Sequence, residues 1–170
     1  KALNAITLNA ITLDDLGVPC AGSYILYLGS GGVRETGLST VCHNMSVGAP
    51  LVNIDIIIGH SNMDLTRRPV VAALANAARD PRCLGVVVSI RCQTYSAALF
   101  LEDSEGRPGR PYRLYPAHIL GVPRPDGSLP RVVSDSNLEA EAAGEICSAA
   151  CEHGAFALFE CPVNRSPERA

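Results

Sequence analysis

The sequence predicts an α/β fold in which helices cover both faces of a mostly parallel sheet. Three observations carry that expectation. Short apolar runs rich in β-branched side chains, such as Leu51–Ile58 and Leu84–Ile90, have the character of buried parallel strands. Segments with helical periodicity separate them, so strands and helices alternate along the chain. A glycine cluster, Gly29-Ser30-Gly31-Gly32, joins the first apolar run to the first amphipathic one, as a tight strand-to-helix turn requires.

Residues 1–22 read as an N-terminal arm, in which Leu3-Asn4-Ala5-Ile6-Thr7 recurs as Leu8-Asn9-Ala10-Ile11-Thr12. Two copies are too few for a solenoid. Residues 23–165 form the domain, with a long loop over 93–133, and 166–170 form a tail. Tyr24–Leu28 is the first strand. Leu38, Val41, Cys42 and Met45 then fall on one helical face, with Gly48 as the stop. Leu51–Ile58 is the second strand, interrupted by Asp55, and a further short strand is expected near residue 62. Thr66 is expected to cap the next helix, with Pro69 in its first turn. Val70, Ala73, Leu74, Ala77 and Ala78 are its inner face, and Asp80-Pro81 ends it. Leu84–Ile90 is the central strand. Residues 92–133 lack periodicity and are punctuated by prolines. Ser136-Asn137-Leu138-Glu139 has the form of a capping box opening the last helix, with Leu138, Ala142, Ile146 and Ala149 inward and Gly154 at its end. Ala155–Glu160 is the last strand. With right-handed crossovers this order gives a Rossmann-like three-layer sandwich, whose ligands sit beyond the strands' carboxyl ends.

The chain of 170 residues is the size of one domain, and its net charge of −3 excludes a global basic field. Seven scattered cysteines without a C-x-x-C pair argue against a disulfide scaffold and a zinc site. That usage fits a reducing, intracellular compartment, cytoplasmic or nuclear. No apolar run approaches the roughly 20 residues that span a bilayer. Neither membrane nor metal is expected as a partner, and His118 and His153 read as surface or helix-end residues.

Four polar stretches fall at the strands' carboxyl ends. Gly29, Gly31 and Gly32 do not spell G-x-G-x-x-G, so the loop reads as a nucleoside-cofactor turn rather than a dinucleotide one; the alternative is a βα turn without a ligand. Asp55 is placed to accept ribose hydroxyls, or else to cap a turn. Asp64 would meet a base amino group, or serve the start of a helix. Cys92 follows the central strand, where Arg91 would favour its thiolate and hence nucleophilic attack; the alternative is an inert, partly buried thiol. Glu160, at the end of the last strand, would act as an acid or anchor an exocyclic amine, or simply face solvent.

These residues resemble a family. Leu28-Gly29-Ser30-Gly31-Gly32 with Gly37-Leu38-Ser39 resembles the cofactor loop of cytosine-5 DNA methyltransferases. Arg91-Cys92-Gln93-Thr94-Tyr95-Ser96 resembles their Pro-Cys-Gln-x-Phe-Ser catalytic loop, and Phe159-Glu160-Cys161-Pro162-Val163 their Glu-Asn-Val or Glu-Asn-Pro strand end. The likeness covers residues 24–165 in short islands; Arg91 stands where the family has proline and Cys161 where it has asparagine. The resemblance implies S-adenosylmethionine on Gly29, Ser30, Gly31 and Gly32, with Asp55 on its ribose. It implies Cys92 as the nucleophile on cytosine and Glu160 as the holder of the base. DNA would meet Arg107, Arg110, Arg113 and Tyr112 of the long loop, arginines on phosphates and tyrosine stacking on a base. That loop, or the N-terminal arm, reads equally well as a protein-contact segment. Two other functions stay open: a catalytically inactive domain of this fold serving as a structural or binding subunit, and a different nucleotide-binding α/β enzyme.

Overall fold

The computed structural model describes residues 11–31, 37–44, 48–89, 94, 112–114, 117–118 and 120–160. Its centre is a four-stranded sheet in the order β2-β1-β3-β4, with β1 at Tyr24–Leu28, β2 at Leu51–Ile54, β3 at Cys83–Val88 and β4 at Phe156–Phe159. Every strand pair is parallel. Among the described residues the helical segments between them are α1 (Leu38–Asn44), α2 (Ile56–Gly59), a 3-10 turn (His60–Met63), α3 (Arg68–Arg79) and α4 (Arg131–Cys151). The chain is thus of the α/β class.

Burial explains the strand pattern. Tyr24, Leu26 and Leu28 of β1 are fully buried, while Ile25 and Tyr27 between them are only half-buried. Val52 and Ile54 of β2 and Val86 and Val88 of β3 complete the inner surface. Against it lie Val70, Val71, Leu74, Ala77 and Ala78 of α3 and Ala142, Ala143, Ile146 and Ala149 of α4. The small alanines let α3 and α4 approach each other closely, as well as the sheet. Each fully buried leucine, isoleucine or valine contributes about 1.5–3 kcal/mol. Leu16 and Val18, inside the segment read as an arm, are buried in this same core.

Several expectations are corrected. The second strand stops at Ile54, because Asp55 accepts the Ile57 N–H at 2.8 Å and turns the chain into α2, leaving Ile56, Ile57 and Ile58 exposed. The segment near residue 62 is a 3-10 turn. The start of α3 has Arg67 at its N-cap position, with Pro69 in the first turn; Thr66 instead donates both its N–H and its hydroxyl to Asp64 Oδ1 in the preceding turn. The last helix opens at Arg131, after Pro130, and not at Ser136. Ser136 and Glu139 are buried within it, held there by a first turn whose Val133 is fully buried, and Ser136 Oγ has no hydrogen-bond partner among the described residues. Its end agrees with expectation: Gly154 takes φ +78° and Ala155 N–H bonds back to Ala150 O at 3.2 Å. Leu38 and Val41, expected inward on α1, are exposed, as is Leu138 on α4. Among the described residues no helix is long and apolar enough to cross a membrane.

Candidate functional site

The register brings the four strand ends level. Ile54 stands opposite Leu28, Leu28 opposite Val88, and Val88 opposite Phe159. The next residue of each strand continues the ladder. Gly29 N–H donates to Ile54 O at 2.8 Å, Ser89 N–H to Leu28 O at 2.9 Å, and Glu160 N–H to Val88 O at 2.8 Å. Asp55, Gly29, Ser89 and Glu160 therefore form one row along the carboxyl edge, in strand order. At the usual strand spacing the row spans about 14 Å.

At one end of the row, Asp55 organises the glycine turn. Its Oδ2 accepts the Gly31 N–H at 3.0 Å, while Oδ1 takes the Ile57 N–H. Gly29 and Gly31 have φ +69° and +71°, which side-chain-bearing residues rarely adopt. Among the described residues, a Cβ built on Gly31 would meet no atom within 4 Å. A carboxylate offers about four acceptor positions, and these two bonds leave capacity for a vicinal diol. The Gly29–Gly31 turn and Asp55 thus fit a nucleoside ligand: backbone open to close approach, beside a carboxylate with acceptors to spare. Asp64 lies further on, before α3, with one oxygen engaged by Thr66. The Ser30 hydroxyl donates to Gly31 O at 3.2 Å and so stiffens the turn.

At the other end, Ser89 Oγ donates to Glu160 Oε2 at 2.5 Å. This pairs β3 with β4 through side chains as well as backbone, and it holds the Glu160 carboxyl at the edge. Sequence reasoning missed Ser89, although a hydroxyl directly after the apolar run Val86-Val87-Val88 was a visible signal.

Arg113 requires a correction. It was expected to meet phosphate, but it is only 6% exposed, and its guanidinium donates to Thr94 Oγ1 and Asn137 Oδ1. A side chain committed to internal acceptors is not presented to a phosphate. Neighbouring Tyr112 is half-buried, with its carbonyl accepting the Val122 N–H at 2.8 Å. His118 pairs through its backbone with Leu114, and His153 is exposed just past α4. Gly32, Cys92, Arg107, Arg110 and Cys161 lie outside the described residues, as do the repeats up to Ala10 and the tail 166–170. Among the described residues no group of three or more His, Cys, Asp or Glu side chains is arranged to hold a metal ion. No protein-family model, no curated protein and no solved structure matches the chain.

Proposed function

We propose that the chain is an S-adenosylmethionine-dependent methyltransferase-like domain of Rossmann-like three-layer architecture, acting on cytosine in DNA through Cys92. The observation that carries this reading is the row along the sheet edge, with the Asp55-braced glycine turn at one end and the Ser89–Glu160 pair at the other. Its span of about 14 Å leaves room for a nucleoside cofactor and a second ligand side by side. The three-layer reading is supported by the direction of travel across the sheet. The step from β1 to β2 runs one way, and those from β2 to β3 and β3 to β4 run the other. With right-handed crossovers α1 would lie opposite α3 and α4.

In this reading Gly29, Ser30, Gly31 and Gly32 carry the cofactor, Asp55 holds its ribose, and Asp64 meets its base. When bound, the cofactor supplies an electrophilic methyl group on a sulfonium. The Cys92 thiolate adds to carbon 6 of the cytosine, and the displaced electron pair makes carbon 5 nucleophilic. Glu160 holds the ring nitrogen and amino group, with Ser89 fixing its carboxyl. Carbon 5 would take the methyl group, the sulfonium leaving as a neutral thioether; loss of the carbon 5 proton to solvent and expulsion of the Cys92 thiolate would then restore the aromatic ring. Arg107 and Arg110 would meet the DNA backbone.

A second reading rests on Arg91 and Cys161, which stand where the resembled motifs have proline and asparagine. It is an inactive domain of the same fold, serving as a structural or binding subunit.

Calorimetric titration with S-adenosylhomocysteine tests the cofactor site. Micromolar affinity is expected, near −8 kcal/mol, weakened about tenfold or more in Asp55→Ala. Transfer of a labelled methyl group to duplex DNA is expected from the wild-type chain and not from Cys92→Ser. Binding without transfer would select the inactive domain. A folded chain that binds no S-adenosylhomocysteine would sink both the cofactor assignment and the enzyme.

A further inference from the structure

The last turns of α4 carry two cysteines, Cys147 and Cys151, which the chemistry at the sheet edge does not use. Their spacing is C-x-x-x-C, so no C-x-x-C pattern announces them. The helix is continuous from Arg131 to Cys151, which puts the two on one face, a single turn apart. Both thiols are free; Cys147 is half-buried at the margin of the core and Cys151 is exposed. They are near enough to interact electrostatically. Helical side chains lean toward the N-terminus, so Cys151 leans over Cys147, and Cys147 over Gly144. A Cβ on Gly144 would meet no side chain within 4 Å, so no described side chain covers that end of the pair. The carboxylates of this stretch, Glu145 and Glu152, are drawn away to Arg68 and Arg79 of α3.

Geometry selects what the pair can hold. Cβ atoms one helical turn apart lie about 5–6 Å from each other, whereas a disulfide needs about 3.5–4.5 Å, so closing a disulfide here would break the helix. A linear sulfur–metal–sulfur bridge is longer: with metal–thiolate bonds of about 2.3 Å its sulfurs stand about 4.6 Å apart, which matches the turn. The ligand count then narrows the ion. Structural zinc takes four protein ligands, and among the described residues no group of three or more His, Cys, Asp or Glu is assembled. Thiolates select soft ions, and the C-terminal turn of a helix favours a cation over a bare thiolate. We propose that Cys147 and Cys151 form a two-coordinate site for a soft monovalent metal ion of the copper(I) class. Binding joins both sulfurs to the ion and releases two thiol protons to solvent, with no change of oxidation state. The site is independent of the methyltransferase reading.

The test titrates the reduced full chain with copper(I) under argon, buffered by bathocuproine disulfonate, and maps iodoacetamide labelling by peptide mass spectrometry. At one bound equivalent, labelling of Cys147 and Cys151 is expected to slow together about tenfold or more, because a metal-held sulfur is no longer a free nucleophile. Exposed Cys20 should still react. Cys151→Ser is expected to remove that copper equivalent and to restore labelling of Cys147. Cys147→Ala should do the same for Cys151; since Cys147 packs against the core, Cys151→Ser alone carries the test if Cys147→Ala fails to fold. Position along the helix gives a second check. Adding Gly144→Cys to Cys151→Ser sets two thiols at i and i+3 and is expected to recover the copper. Adding Ser148→Cys instead sets them at adjacent positions, which do not face each other, and should not. A chain that leaves all copper with the chelator, or that binds it while Cys147 and Cys151 react at the metal-free rate, would overturn the site. So would protection of Cys147 that survives Cys151→Ser, recovery by Ser148→Cys, or loss of the far-UV helical signal on binding, since the ion would then not be held across an intact turn.

Discussion

Tyr24 is a phenol buried in the sheet whose hydroxyl donates to Ala77 O of α3 at 2.8 Å, pinning the first strand to the helix above it. Burial, with the nearby Asp80 carboxylate adding to it, pushes this phenol up to about 12. Ala77 O also accepts the Asp80 N–H, so Tyr24→Phe leaves no buried acceptor unpaired. The expected cost is about 1 kcal/mol in a denaturant titration, the net worth of one neutral hydrogen bond. Below the ring, Arg82 stacks 5.7 Å from its centroid and bonds to Asp80 at 2.7 Å. The side-chain hydrogen bonds from Arg82, followed by the Arg82 backbone N–H, hold the Asp80 carboxyl below its usual range. A carboxylate depressed in the folded state stabilises the fold above its unfolded pKa of about 3.9, and that contribution is lost as pH falls through the lower folded value. Melting temperatures followed from pH 5 downward are therefore expected to fall less steeply in Asp80→Asn than in the wild type. Parallel slopes would show that this ion pair contributes nothing.

Packing between elements is close where β3 meets the edge strand β4. Gly85 stands opposite Phe156, and a Cβ on Gly85 would come within 2.5 Å of the Phe156 ring. The glycine is there for room: the ring lies across it and covers the backbone. Gly85→Ala is expected to destabilise by about 1–3 kcal/mol through overpacking. Phe156 is 47% exposed, so its removal frees the space at modest loss. Adding Phe156→Ala should recover most of the Gly85→Ala penalty, and a double-mutant cycle reads that coupling directly. Additive losses would mean that the ring moves aside and the close approach is unimportant. The Asp55 turn shows the same dependence on neighbours: an aspartate amid isoleucines ends a strand because backbone donors from two elements converge on it.

At the scale of the fold, the core of the described residues lies between the sheet and the α3–α4 pair, and Cys83 is buried in it. Burial raises the pKa of its thiol and so disfavours the thiolate. Cys20 and Cys151 are exposed. In native buffer, an alkylating reagent is expected to modify Cys20 and Cys151 at once and Cys83 only through global opening. The denaturant dependence of Cys83 labelling should then match that of equilibrium unfolding. A shallower dependence would reveal a partial opening that parts β1 from β3 while the rest stays folded. The parallel topology also explains why the candidate site is an edge: every strand points the same way, so each delivers its following residue to one row.

Legible in the sequence were the α/β class, the positions of the four strands and two of the residues that follow them in the row, Gly29 and Glu160, whereas the second strand was read through Asp55 to Ile58 and ends at Ile54. These are local properties: a short apolar run marks a buried parallel strand, and the polar residue after it must emerge at an edge. Tertiary structure alone decided which partners those residues take. Ser89 meets Glu160 across 71 positions of chain, Gly31 meets Asp55 across 24, and Arg113 turns inward to Thr94 across 19. Periodicity cannot report such pairs, because a buried donor is satisfied by whichever acceptor the fold brings within about 3 Å. For the same reason Ser136-Asn137-Leu138-Glu139, a capping box by spacing, became the interior of a helix: Val133 was buried in its first turn, and the helix began where that burial required.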